Sequence, residues 1–289
     1  MSNNLRHGEL PVKVYTADSQ IKKPFDFIKN IFLDLSSGRE LGWRLAVRDI
    51  SAQYRQAVLG LFWAFLLPLI NTIAWIFLQG TGIVSLRDTE LPYPVYVFTG
   101  TMLWAIFTDA FNAPLQVSIA AKPMLSKINF PREALLISGI LQTLFNGAIK
   151  VVILIVALAI LGFYPGWHLI LFPLGFFALM LTGIALGLLV TPIGLLYSDI
   201  GKAIPLVMQF LMYITPVVFP MPEEGFAAVL FKWNPLTPLI LTTRGWLTGF
   251  PAQYLNGFWL VTCAMLFLLF LVWTVYKLAL PILIERMNA

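Results

Sequence analysis

Residues 169–195 read LILFPLGFFALMLTGIALGLLVTPIGL, a run from Leu169 to Leu195 with no charged side chain. A bilayer core takes about 20 residues as an α-helix, so this run is long enough to cross it with some tilt. Comparable stretches lie near 60–80, 95–118, 134–162, 203–219 and 257–281. The reading is therefore an all-α integral membrane protein with six transmembrane helices. Composition agrees: 59% of the 289 residues are hydrophobic and 11% charged, against about 25% charged in soluble domains. Too little charge is present to cover a solvated surface.

Three regions follow: a cytoplasmic N-terminal tail with amphipathic helices over 1–59, the transmembrane domain over 60–281, and a cytoplasmic C-terminus over 282–289. No short apolar core behind a basic start occurs before residue 60, so no cleaved signal peptide is expected. Lys and Arg set the orientation, because they are retained on the cytoplasmic side. With the N-terminus inside, 15 of the 19 face the cytosol. Arg87, Lys232 and Arg244 fall outside, and Lys150 falls within a span. The net charge of +5 thus reports membrane topology, and no nucleic acid is expected as a partner.

Ahead of the first span, Phe25, Ile28, Phe32 and Leu35 recur at helical spacing opposite Asp26, Lys29, Asn30 and Asp34. After a break at Ser36, Ser37 and Gly38, a second face runs through Trp43, Val47, Ile50 and Tyr54, with Arg44, Arg48 and Arg55 beside it. Both pieces suit amphipathic helices in the headgroup plane. They read either as a surface anchor or as a docking element for a partner. Between the last two spans, 226–231 and 236–247 are apolar but too short to span. These read as short re-entrant or interfacial helices, packed on protein or lying on the bilayer.

Chemistry is scarce in this chain. Cys263 is the single cysteine, and His7 and His168 stand apart, so no metal site is expected. No serine sits in a GxSxG elbow. Gly201-Lys202 lacks the upstream glycine of a phosphate-binding loop, Leu196 standing there. No nucleotide is expected on this chain. Two ionisable residues, Asp109 and Lys150, lie deep within spans, where insertion costs about 2.5 to 3.5 kcal/mol each. They fall near mid-depth on antiparallel spans. A structural ion pair, a contact to a neighbouring subunit and a role with substrate or protons all fit that placement. Phe62, Trp63, Phe65, Trp75, Phe77, Phe210, Tyr213 and Phe219 fit either packing or a path on which sugar rings stack.

Several short strings together carry a resemblance. They are Tyr54-Arg55-Gln56-Ala57-Val58-Leu59-Gly60-Leu61-Phe62-Trp63-Ala64 with Pro68, Phe130-Pro131-Arg132-Glu133, Ser198-Asp199-Ile200, Thr215-Pro216-Val217, and Asn234-Pro235-Leu236 with Arg244. In this order, over roughly 40–285, the chain resembles the membrane permeases of bacterial type 2 ABC exporters for polysaccharides, the O-antigen, capsule and teichoic-acid export family. Ser198 departs from the family, many of whose members place an arginine there.

The resemblance implies a homodimer of this chain with two copies of a separate ATPase subunit, which would bind the ATP and Mg. It implies coupling to that ATPase through Lys127, Phe130, Pro131, Arg132, Glu133 and Asp199. It implies a cytosolic entrance at a gate helix carrying Arg48, Tyr54 and Arg55, where the diphosphate of a lipid-linked glycan would be attracted. Phe62, Trp63, Phe210 and Tyr213 would line the channel. The expected role is therefore a transport subunit in the bacterial inner membrane, moving lipid-linked polysaccharide, with no catalysis of its own. A permease for a drug or lipid, or a membrane enzyme acting on lipid-linked sugars, are the alternatives; the enzyme requires clustered carboxylates or histidines that are not evident.

Overall fold

The computed structural model describes residues 24–55, 62–82, 89, 91–125, 133–164, 166–252 and 254–287. Among the described residues every regular element is helical. Helix α1 spans Pro24–Arg55, α2 Phe62–Gly80, α3 Tyr93–Leu125 and α4 Glu133–Ile160. A short 3-10 turn, Gly166–Ile170, leads into α5, Phe172–Leu196, and α6, Ser198–Tyr213. Two short helices, α7 at Gly225–Trp233 and α8 at Leu236–Thr248, precede α9 at Leu255–Met287. Three stretches among the described residues are long and apolar enough to cross a membrane: Glu133–Ile160, Gly166–Leu196 and Leu255–Tyr276.

Helix α3 is the hub, packed against α2, α4, α5, α6 and α8. Met102, Leu103, Ile106, Phe107 and Ala110 are wholly buried along it. Its closest neighbour is α5, and glycines set that closeness. A Cβ on Gly187 would lie 2.0 Å from the carbonyl oxygen of Phe111, and one on Gly183 would lie 2.7 Å from that of Phe107. Between lipid-solvated helices no hydrophobic effect drives association, so close packing through small residues has to supply the attraction. Polar ties add to it. Thr72 of α2 meets Thr101 of α3 at 3.4 Å, and Ser118 of α3 meets the Tyr276 hydroxyl of α9 at 3.0 Å.

Two expectations are corrected here. The helix is not broken at Ser36, Ser37 and Gly38: α1 runs unbroken from Pro24 to Arg55. Gly38 and Gly42, one turn apart, face Ala134 and Ile137 of α4. They are contact glycines, and the docked face holds the helix through them. Leu45 and Ala46 are buried on that face, while Trp43 and Val47 stay exposed. The fifth stretch, expected near 203–219, is helical over Ser198–Tyr213. It begins at extended Tyr197, with Asp199 favourably placed in the first turn. It stops before Pro216, whose nitrogen has no hydrogen to continue the helix.

The loop between α6 and α9 holds two short helices, close to the bounds read from sequence. Helix α8 is packed on α5, α9 and α3 and buried along most of its length. It ends on Gly249 in the left-handed region at φ 81°, whose N–H reaches the Gly245 carbonyl, a C-terminal cap that glycine adopts without strain.

Gly187→Ala is expected to lower the thermal unfolding midpoint in detergent, at an overpacking cost of about 1–3 kcal/mol. Gly201→Ala, whose added Cβ meets nothing within 4 Å, should leave it unchanged or slightly raised. Equal midpoints for the two variants would refute glycine-dependent α3–α5 contact.

Candidate functional site

The end of α6 is where the chain concentrates its polar chemistry. Residues 214–219 leave the helix while Thr215, Val217 and Val218 are fully buried. Buried carbonyls need donors, and three side chains from distant parts of the sequence provide them. Asn234 Nδ2 donates to the Ile214 carbonyl at 3.0 Å and to Thr215 Oγ1 at 2.6 Å. Its Oδ1 accepts from the Leu236 N–H at 2.9 Å, so one amide ties the segment to the start of α8. Arg244 Nη2 donates to the Val217 carbonyl at 3.1 Å. The Tyr96 hydroxyl of α3 lies 3.2 Å from the carbonyls of both Pro216 and Phe219. The Arg244 guanidinium lies over the Tyr96 ring, 3.8 Å from its centroid, a cation–π contact.

Gly100 makes room for this arrangement. A Cβ there would lie 2.2 Å from the Val217 oxygen and 2.4 Å from Arg244 Nη2. Aromatic rings then join α2 to the same segment. Trp75 meets Phe219 edge-on at 5.2 Å and Tyr213 at 6.1 Å.

A second polar cluster lies between α1, α3 and α4. Ser138, Gln142, Asn146 and Lys150 are four residues apart and form one stripe along α4. Gln142 Nε2 donates to Asp49 Oδ2 of α1 at 3.2 Å and to Ser138 Oγ at 3.0 Å. The Tyr54 hydroxyl donates to Asn146 Oδ1 at 2.8 Å, and its ring meets Phe145 edge-on. Lys150 Nζ donates to Asp109 Oδ2 of α3. The Lys150 side chain is 9% exposed and that of Asp109 39%, so the carboxylate reaches the surface while the ammonium does not. Burial first, and the Asp109 carboxylate second, raise the Tyr54 hydroxyl above its ordinary 10.0. It remains a protonated donor near neutral pH.

Of the other residues singled out from sequence, Arg48 bridges to Asp49 at 2.7 Å on the exposed side of α1, and Arg55 is exposed at its end. Asp199 is exposed at the start of α6, 3.9 Å from Lys202. Glu133 opens α4 as the acidic residue of its first turn. Phe62 and Phe210 are exposed, Phe210 at 72%. Tyr213 turns inward to Trp75 and accepts from Gln209 Nε2 at 3.3 Å. Lys127, Phe130, Pro131 and Arg132 lie outside the described residues, as does the Trp63 side chain.

The profile of the ABC-2 type transporter family matches residues 40–245, a range that contains both polar clusters. The chain belongs to the ABC-2 type transporter family. This ABC-2 chain is 24% identical to the O-antigen export system permease protein RfbA of Myxococcus xanthus over 199 residues, 68% of this chain and 75% of that protein. It is 22% identical to the protein of the same name from Klebsiella pneumoniae over 204 residues, 68% and 76% of the two chains. Against the polysialic acid transport protein KpsM of Escherichia coli it is 22% identical over 228 residues, 75% and 87% of the two. In this ABC-2 protein the strings Thr215-Pro216-Val217 and Asn234-Pro235-Leu236 and the lone Arg244, separate in sequence, meet in one cluster. Tyr96, Gly100 and Gln142 carry no signal in the sequence alone. Their roles depend on partners 93 to 148 residues away, which spacing does not reveal.

Asn234→Ala removes two donations and one acceptor and is expected to cost about 1–3 kcal/mol of stability, read as a lower unfolding midpoint. A change below about 0.5 kcal/mol, the level of ordinary surface substitutions, would mean that the 214–219 carbonyls find other donors. Lys150→Met strands the Asp109 carboxylate. Breaking a fully buried pair costs about 3–5 kcal/mol, and the partial exposure of Asp109 reduces that here. The Lys150→Met, Asp109→Asn double variant should recover most of the loss in a double-mutant cycle, and additive losses would show that the pair is not coupled.

Proposed function

We propose that this chain is the membrane subunit of an ATP-driven exporter that moves lipid-linked, O-antigen-like polysaccharide across the bacterial inner membrane. Two copies, each of six spans with both termini cytoplasmic, work with two copies of a separate ATPase subunit that binds ATP and Mg. The ABC-2 match over residues 40–245 carries the reading, and the names of the relatives, O-antigen and polysialic acid export permeases, supply the cargo class.

The geometry of the protomer agrees with a dimer that encloses a path. Helix α6 buries only Ile204 and Met208 and leaves Leu206, Val207 and Phe210 bare. Helix α2 exposes Phe62, Ile70, Ile73 and Phe77. Such faces suit a second copy, with Phe62, Trp63, Phe210 and Tyr213 offering rings on which sugars stack. A long hydrophilic polymer cannot partition into hydrocarbon, so it needs a continuous path that is closed to ions when empty. The Trp75, Tyr213 and Phe219 junction is suited to that closure.

At the opposite end, α1 is clamped to α4 by Gln142 on Asp49 and Asn146 on Tyr54. Its exposed Arg48 and Arg55 present cations where a lipid-linked diphosphate would enter. Work from the ATPase reaches the spans through Lys127, Phe130, Pro131, Arg132, Glu133 and Asp199. Nucleotide binding and hydrolysis bias an equilibrium between closed and open dimers.

Deleting this protein in a strain with no redundant exporter is expected to leave lipid-linked glycan inside the cell and strip glycan from the surface. Affinity-purified chain should bring down an ATPase with a phosphate-binding loop. Normal surface glycan in the deletion strain would refute the function.

A further inference from the structure

Among the described residues the Arg244 side chain makes one hydrogen bond, although a guanidinium offers five N–H donors and keeps its charge. It is 3% exposed, and its Nε and Nη1 have no hydrogen-bond partner among the described residues. The Tyr96 ring offsets part of its charge, but burying a cation that no carboxylate among the described residues pairs is costly, and an oxyanion bound beside it would offset that cost.

Beside it lies a cavity of about 470 Å³, within the range of small-ligand pockets. Its wall includes Arg244, Lys232, Tyr96, Thr248, Tyr254 and Glu223. Lys232 is exposed at the end of α7 and is the second cation of the wall. Glu223 is the one carboxylate among the lining residues, against the two cations Arg244 and Lys232, so the lining carries a net positive charge. Charge-assisted bonds from a guanidinium to an oxyanion are among the strongest polar contacts a protein makes. On the topology read from Lys and Arg, the cavity opens on the outer side of the membrane.

We propose that this cavity is an anion site, taking one carboxylate or phosphate group between Arg244 and Lys232. The oxyanion comes from one of two sources: an acidic residue of the exported polymer, or the headgroup of an anionic phospholipid. Only the polymer source rests on the export reading; the site itself does not. An oxyanion bound here also reaches the 214–219 segment through Arg244, so occupancy and the packing of the α6 end are linked.

The test uses the full-length chain in neutral phosphatidylcholine nanodiscs, with thermal unfolding followed by tryptophan fluorescence. Sodium phosphate and glucuronate are titrated at constant ionic strength against chloride and glucose. A parallel series replaces phosphatidylcholine with phosphatidylglycerol. At least one anion is expected to raise the midpoint saturably, as a ligand of the native state must. Lys232→Gln should weaken that response about 1.5- to 5-fold, the range an exposed charge contact gives. Arg244→Gln should abolish it; if that variant does not fold, the Lys232→Gln series decides. A response to phosphatidylglycerol alone assigns the headgroup, and a response to the soluble anions alone assigns the polymer. No response beyond the chloride and glucose controls, or one that Lys232→Gln leaves unchanged, overturns the site.

Discussion

A helix that ends inside a bundle leaves carbonyl groups that neither lipid nor apolar side chains can satisfy. Helix α6 ends in this way at Tyr213, and the hydrogen bonds from Asn234, Arg244 and Tyr96 to residues 214–219 answer the constraint. Much of the fold near that end follows from it. Helix α8 is buried because it carries Arg244 to the segment. The start of α8 is fixed because Asn234 bonds both the segment and the Leu236 N–H. Gly100 has no side chain because the Val217 carbonyl occupies the space where one would be.

The opposite half depends on a different balance. Lys150 is buried and Asp109 is partly exposed, so the pair neutralises an ammonium that could not otherwise remain in an apolar environment. From there the stripe Asn146, Gln142 and Ser138 continues along α4 and meets Tyr54 and Asp49 of α1. Contact glycines at 38 and 42 bring α1 close enough for those bonds. Helix α1 is thus joined to α4 by both shape and hydrogen bonding, and a displacement of either is felt by the other. In an ABC-2 protein this joins an amphipathic N-terminal helix, by way of α4, to the hub helix α3, through packing and the Lys150–Asp109 ion pair.

Between the two polar ends the protein is apolar and closely packed, with α3 against α5 as its axis. That close contact makes α3 and α5 a rigid axis to which both polar clusters are attached. The exposed faces of α2 and α6 lie apart from that axis.

The helices were legible in the sequence because their cause is local. A run such as 169–195 has no alternative to helix in lipid, and its bounds are set by Gly, Pro and charge. Family strings such as Thr215-Pro216-Val217 were legible too, but only as strings. Their meaning lay in contacts across the chain: Arg244 reaches Val217 at a separation of 27 residues, and Tyr96 reaches Phe219 at 123. The break expected at Ser36, Ser37 and Gly38 shows the same limit, since glycine in a helix reads as a stop until the neighbour that requires it is present. Likewise the charges of Asp109 and Lys150 were visible as a cost, and only their pairing across α3 and α4 shows how it is met. Sequence alone determined that the chain is helical, apolar and without nucleotide or metal motifs, because composition and period report the solvent around each residue. Tertiary structure alone decided which polar groups satisfy one another, because in a lipid-solvated fold those partners come from helices far apart in the chain.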